Sequence, residues 1–157
     1  MHFEFLVEDL SGKKALEILV PKILDTSAHI FRTIPYRGVG RIPRNLRAVN
    51  DPKKRILLDQ IPRLLRGYGQ TQAGYGDDYQ ATVIVVCDLD DKCLKTFLGE
   101  LQAVLDTCDP RPKTRFCIAI EEGEAWFLGD IPAIKIAYPK AKDAVIDTYV
   151  NDAICGT

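Results

Sequence analysis

Three apolar runs in this chain end in carboxylates. Phe3-Glu4-Phe5-Leu6-Val7 runs into Glu8, and the branched run from Ala81 to Val86 passes through Cys87 into Asp88-Leu89-Asp90. A third run, Arg115 to Ile120, meets Glu121-Glu122-Gly123-Glu124. Packed carboxylates repel one another unless a cation joins them. Hard oxygen ligands of this kind favour magnesium or manganese, which keep several waters and share their remaining positions with phosphate oxygens. Metal-assisted phosphoryl transfer is the chemistry such a set suits. The spacing of Asp88 and Asp90 is expected to aim two carboxylates at one point. A plainer reading stands beside this one: acids after strands solvate loops or supply charge to helix N-termini, with Asp90 or Asp91 capping a helix that starts near Lys92.

The elements that must position these residues follow from periodicity. Phe3 to Val7 reads as a strand, and helical spacing of Ala15, Leu16, Leu19 and Val20 predicts a helix after it, with Ser11 as N-cap and a break or continuation near Pro21. His29 to Tyr36 alternates like a second strand limited by Pro35. Lys53 to Leu65 places Ile56, Leu57, Ile61, Leu64 and Leu65 at helical spacing opposite basic residues, and Gly67-Tyr68-Gly69 is expected to end that helix. Ala81 to Val86 is apolar without alternation, as in a strand covered on both faces of a parallel sheet. A helix from Leu94 to Leu105, the strand Arg115 to Ile120 and short helical pieces near Ala125 to Leu128 and Ile134 to Ala137 complete the pattern. Alternation of this kind predicts one α/β domain over residues 1–157, with a central, mainly parallel, four-stranded sheet and helices on both faces. Ligands of such sheets bind beyond the carboxyl ends of the strands, where the acids stand.

Charge is distributed unevenly. Residues 32 to 66 hold ten Lys or Arg against Asp51 and Asp59, leaving 11 bases and 20 acids elsewhere of the 21 and 22 in the chain. The basic segment is +8 in a chain whose net charge is -1. Arg37, Arg41, Arg44, Arg47, Lys53, Lys54 and Arg55 are therefore candidates to track a phosphate backbone, each contact adding salt-dependent affinity. Tyr36 and Tyr68 offer stacking surfaces beside these bases, although ordinary packing is the plainer expectation, and Trp126 is expected to anchor the last helical piece against the sheet.

Other chemistries are poorly supported. Ser11-Gly12-Lys13-Lys14 lacks the earlier glycine of a phosphate loop, since Val7 holds that position, and Gly38-Val39-Gly40 is only a fragment of a dinucleotide fingerprint. Five cysteines form no Cys-x-x-Cys pair and read as reduced thiols; the two histidines, His2 and His29, suggest neither zinc nor a hydrolytic triad. No run approaches the length of a membrane helix and the N-terminus lacks the pattern of a signal peptide, so a cytoplasmic protein without membrane contact is expected.

The residues Phe5-Leu6-Val7-Glu8 and Val85-Val86-Cys87-Asp88-Leu89-Asp90 resemble the TOPRIM domain of topoisomerases, primases and overcoming-lysogenization-defect nucleases. Leu64-Leu65-Arg66-Gly67-Tyr68 with Glu122-Gly123-Glu124-Ala125-Trp126-Phe127-Leu128-Gly129-Asp130 resembles, over nearly the whole chain, a bacterial TOPRIM-like family of unknown function often encoded beside an AAA-type ATPase. The resemblance implies a Rossmann-like domain. It also implies Glu8 as general acid or base or metal ligand, Asp88 and Asp90 as ligands of Mg2+ or Mn2+, and Glu122 and Glu124 as further acidic site residues. Nucleic acid and an AAA-type ATPase are the implied partners, a homo-oligomer is compatible, and continuation past Gly156-Thr157 is expected. Where TOPRIM domains usually have glycine after the first glutamate, this chain has Asp9.

Overall fold

The computed structural model describes residues 1–46, 53–76, 79–120 and 123–148. Strand β1 (His2–Val7) leads into helix α1 (Leu10–Ile23), β2 (Ile30–Pro35), α2 (Leu57–Ala73), β3 (Ala81–Asp88), α3 (Leu94–Asp106) and β4 (Thr114–Ala119). A 3-10 helix (Gly123–Gly129) and two short helices, α4 (Ile131–Ala137) and α5 (Asp143–Ile146), follow. The four strands form one parallel sheet in the order β2-β1-β3-β4. This is a Rossmann-like α/β fold, as the alternating pattern predicts.

Side-chain parity decides which face each helix covers. Phe5 and Val7 point to one side and pack with Val20 and Leu16 of α1. Leu6, Val83 and Val85 point to the other and form the main core with Leu57, Leu58, Ile61 and Leu65 of α2 and Phe97, Leu101, Val104 and Leu105 of α3. Burial of each such side chain contributes about 1.5–3 kcal/mol. Because β3 lies inside the sheet, its apolar run needs no polar alternation.

Several local boundaries differ from the sequence expectation, each for a stereochemical reason. Helix α1 is capped by Asp9 rather than Ser11: the Asp9 carboxylate accepts from the Gly12 amide at 2.7 Å and from the Ser11 hydroxyl. Pro21 lies in its last turn and the helix continues to Ile23. Helix α2 begins only at Leu57, so Lys53, Lys54 and Arg55 precede it, and it runs through Gly67 and Gly69 to Ala73. A Cβ at position 69 would collide with the Pro110 carbonyl oxygen, so this glycine serves the close approach of a loop instead of ending the helix. Helix α3 has Cys93 at its N-cap with no side-chain cap, so neither Asp90 nor Asp91 caps it.

Candidate functional site

The strand order reverses direction between β1 and β3: the chain steps outward from β1 to β2, then returns across β1 to β3. Helices that follow strands of one hand must then fall on opposite faces, leaving a crevice between the two central strand ends. Val7 pairs with Val86, so the residues that follow them leave the sheet side by side. Glu8 and Asp88 flank this crevice, and the Asp88 amide donates to Glu8 Oε2 at 3.5 Å.

Glu8 is only half-exposed, and among the described residues no cation pairs with it. Burial raises its pKa above the ordinary glutamate value, the Asp88 amide partly offsets this, and the charges of Asp88, Asp90 and Asp9 raise it further. Asp9 has φ -150, an extended conformation open to any residue, and its carboxylate is engaged as the α1 cap. The neighbouring Cys87 thiol is pushed up to about 12, first by burial and then by the Glu8 and Asp88 charges, which leaves it inert as a nucleophile.

Asp90 does not converge with this pair. Leu89, whose amide donates to the Ala119 carbonyl at 2.9 Å, is buried in the main core. Asp90 then adopts φ +50, a left-handed conformation that aspartate tolerates, and its carboxylate meets Lys92 Nζ at 2.8 Å. The alternation expected of an Asp-x-Asp strand is therefore broken at its last residue. Among the described residues no three acid, histidine or cysteine side chains stand grouped for a metal ion. Glu122 lies outside the described residues, as does the side chain of Glu124. The donor chemistry of Glu8 and Asp88 suits a hard cation and the like-charge crowding around Glu8 favours one, while Lys92 already neutralises Asp90. Lys92, held also by the Leu89 carbonyl and by the Phe97 ring 5.3 Å away, stands beside the candidate site through Asp90, a placement that sequence periodicity does not reveal.

The basic segment hangs from the same edge. The Tyr36 amide donates to the Val7 carbonyl and the Gly38 amide to the Glu8 carbonyl at 3.0 Å, while the Gly38 carbonyl accepts from the Leu57 amide. Gly38 makes this connection at φ +102, a value that a side chain would strain. Arg37, Arg41, Arg44, Lys53, Lys54 and Arg55 are all exposed, and Arg47 lies outside the described residues. Arg55 is oriented by a 2.8 Å bond to the Pro35 carbonyl and lies 5.9 Å from the Tyr36 ring centroid. Tyr36 is buried, and Tyr68 packs with its hydroxyl on Glu4 at 3.3 Å. Trp126, by contrast, is 51% exposed and borders an open groove beside α1.

The class that fold and site define is a Rossmann-like α/β chain with paired carboxylates at its switch point and a basic loop beside them. Compared with protein-family models, curated proteins and solved structures, the chain matches none. No helix among the described residues is long and apolar enough to cross a membrane.

Proposed function

We propose that this chain is a Mg2+- or Mn2+-dependent nuclease or related phosphodiester-processing enzyme of TOPRIM type, the effector of an ATPase-coupled phage-defence system. The observation that carries the reading is the placement of Glu8 and Asp88 together at the switch point, with a basic loop tied to the Glu8 backbone. A divalent ion held there would activate water and stabilise charge developing on the phosphate. Asp88 is the primary ligand in this reading, and Glu8, whose pKa is raised, is the group that exchanges the proton. Asp90 would be a further ligand only if its ion pair with Lys92 were given up. Arg37, Arg41, Arg44 and Arg55 hold the strand from one side, and their contacts with it weaken with salt.

Cleavage of plasmid, single-stranded DNA and RNA in magnesium or manganese tests the reading. Asp88→Ala is expected to abolish cleavage; equal rates in variant and wild type remove the assignment. The ion pair between Asp90 and Lys92 favours a second reading, a non-catalytic module that keeps the TOPRIM shape and binds an AAA-type ATPase or nucleic acid through its basic loop. Retention of the ATPase or of nucleic acid by a chain that shows no metal uptake in calorimetry would select it.

A further inference from the structure

A groove of about 300 Å³ opens directly beside the carboxylate pair. Leu16, Ile18 and Leu19 of α1 form one wall, Val86 contributes from β3, and Trp126 and Phe127 of the 3-10 helix border it. Glu8 and Asp88 line the same groove, so its apolar interior is continuous with the candidate site. Trp126 and Phe127 are 51% and 59% exposed. Two aromatic side chains this open to solvent have little packing role and ample surface for a ligand.

The size and the charge of the surroundings narrow the occupant. A volume of about 300 Å³ lies at the small end of ligand sites, enough for a ring system and too little for a helix of a partner protein. The occupant must combine a flat apolar part with a group that suits the carboxylate rim. Glu8, Asp9 and Asp88 are the charged residues of the groove and repel a bare anion, whereas a phosphate bridged by a divalent ion at the site proposed above would be attracted, and the exposed arginines of the loop tied to the Glu8 backbone add positive charge at the same strand ends. We infer that the groove is a nucleobase subsite: it takes one unstacked base of the nucleic acid between the α1 wall and the Trp126 and Phe127 rings while the adjoining phosphate lies at Glu8 and Asp88. This rests on the phosphodiester reading for the phosphate, but the base contact stands on the groove alone. The substrate is accordingly single-stranded or locally unpaired, because a base inside a duplex cannot reach the groove.

Trp126 is the only tryptophan of the chain, so its emission reports on this groove. Titration with adenosine 5′-monophosphate in magnesium is expected to change that emission saturably, with adenosine acting more weakly and without need of metal. Ribose 5-phosphate, which lacks the base, should have no effect. Phe127→Ala, at an exposed position, should leave the fold intact and weaken the nucleotide about tenfold, the loss of one stacking surface. The inference is overturned if ribose 5-phosphate acts like the nucleotide, if neither adenosine nor the nucleotide alters emission at millimolar concentration, or if Phe127→Ala binds the nucleotide unchanged. Failure here is separable from failure of the enzyme reading. Asp88-dependent cleavage without any nucleotide response removes the base subsite alone; a saturable adenosine response in a chain that cleaves nothing keeps the subsite and removes the nuclease.

Discussion

Glu4 and Glu8 lie four residues apart, one within β1 and one just past its end, and their surroundings are opposite. Glu4 is 5% exposed and its carboxylate is surrounded by donors: Arg32 by Nη2 at 2.9 Å and Nε at 3.0 Å, His2 Nε2 at 3.0 Å and the Tyr68 hydroxyl at 3.3 Å. Glu8 has the weak amide contact from Asp88 and three acidic neighbours. A buried carboxylate with its lone pairs satisfied is part of the architecture. One that is half-buried among like charges has been left with unmet electrostatic demand, and groups of that kind concentrate at functional sites. The same strand thus carries a carboxylate that holds β1, β2 and α2 together and another that, in the proposed function, would take a cation.

The largest expected effect separates the two by activity. Glu8→Gln keeps the shape and removes the charge, so cleavage should fall by at least about 100-fold while the circular dichroism spectrum is preserved. Glu4→Gln should retain cleavage. If both variants lose activity equally, the distinction between the two carboxylates is mistaken.

Stability should divide them the other way. Truncating one partner of a fully buried ion pair costs about 3–5 kcal/mol, but Arg32 is 64% exposed at its side chain and regains water when the carboxylate goes. For Glu4→Ala we therefore expect a loss of about 2 kcal/mol, or roughly 4–8 °C in Tm, chiefly from the stranded Tyr68 hydroxyl and the cavity. Denaturant unfolding that places Glu4→Ala within error of wild type would show that the cluster is ornamental to the fold.

How far this contrast can be read from sequence depends on what kind of physics sets each residue. Glu8 and Asp88 are legible because the end of an apolar run marks the end of a strand, and the ends of parallel strands share one edge. Glu4 is not legible as a structural anchor, since nothing in Phe-Glu-Phe-Leu-Val says that Arg32 will sit opposite it; that follows from the parallel register, which pairs Glu4 with Arg32. Asp90 misleads for a local reason, because one left-handed residue redirects a side chain that strict alternation would place with Asp88. Gly69 misleads for a tertiary one: the loop that approaches it comes from residues near 110, far away in the chain, while Gly67 has nothing within 4 Å to explain it. The inner strands β1 and β3 are legible as nearly continuous apolar runs, and the edge strands β2 and β4 by branched and aromatic residues between which Arg32, Arg115 and Cys117 stay exposed.

A smaller effect follows from the sign of the Glu8 shift. Its folded pKa is raised, so between the ordinary value of 4.5 and the raised one the folded chain binds the proton more tightly than the unfolded chain, and stability falls as pH rises through that window. Above it the deficit is constant, and Glu8→Gln removes it. The variant should melt higher than wild type at pH 7 in chelator, with the gain vanishing as the pH falls below 4.5. A carboxylate that the fold needs would give the reverse, a loss of stability at neutral pH.

The smallest and most diagnostic effect concerns Lys92. Its ammonium neutralises Asp90 at 2.8 Å, so a divalent ion that recruits Asp90 must displace it. Exposed pairs of this kind are worth about 0.2–1 kcal/mol, and Asp90 and Lys92 are 44% and 27% exposed. Lys92→Met keeps the apolar stem over Phe97 and removes the competing charge, so magnesium affinity measured by calorimetry should rise about two- to fivefold. Unchanged affinity would mean that Asp90 is not recruited, leaving Glu8 and Asp88 as the only described carboxylates of the site. Weakened affinity would mean that Lys92 positions the turn rather than competing for it, and the lysine would then belong with Glu4 on the architectural side of the comparison.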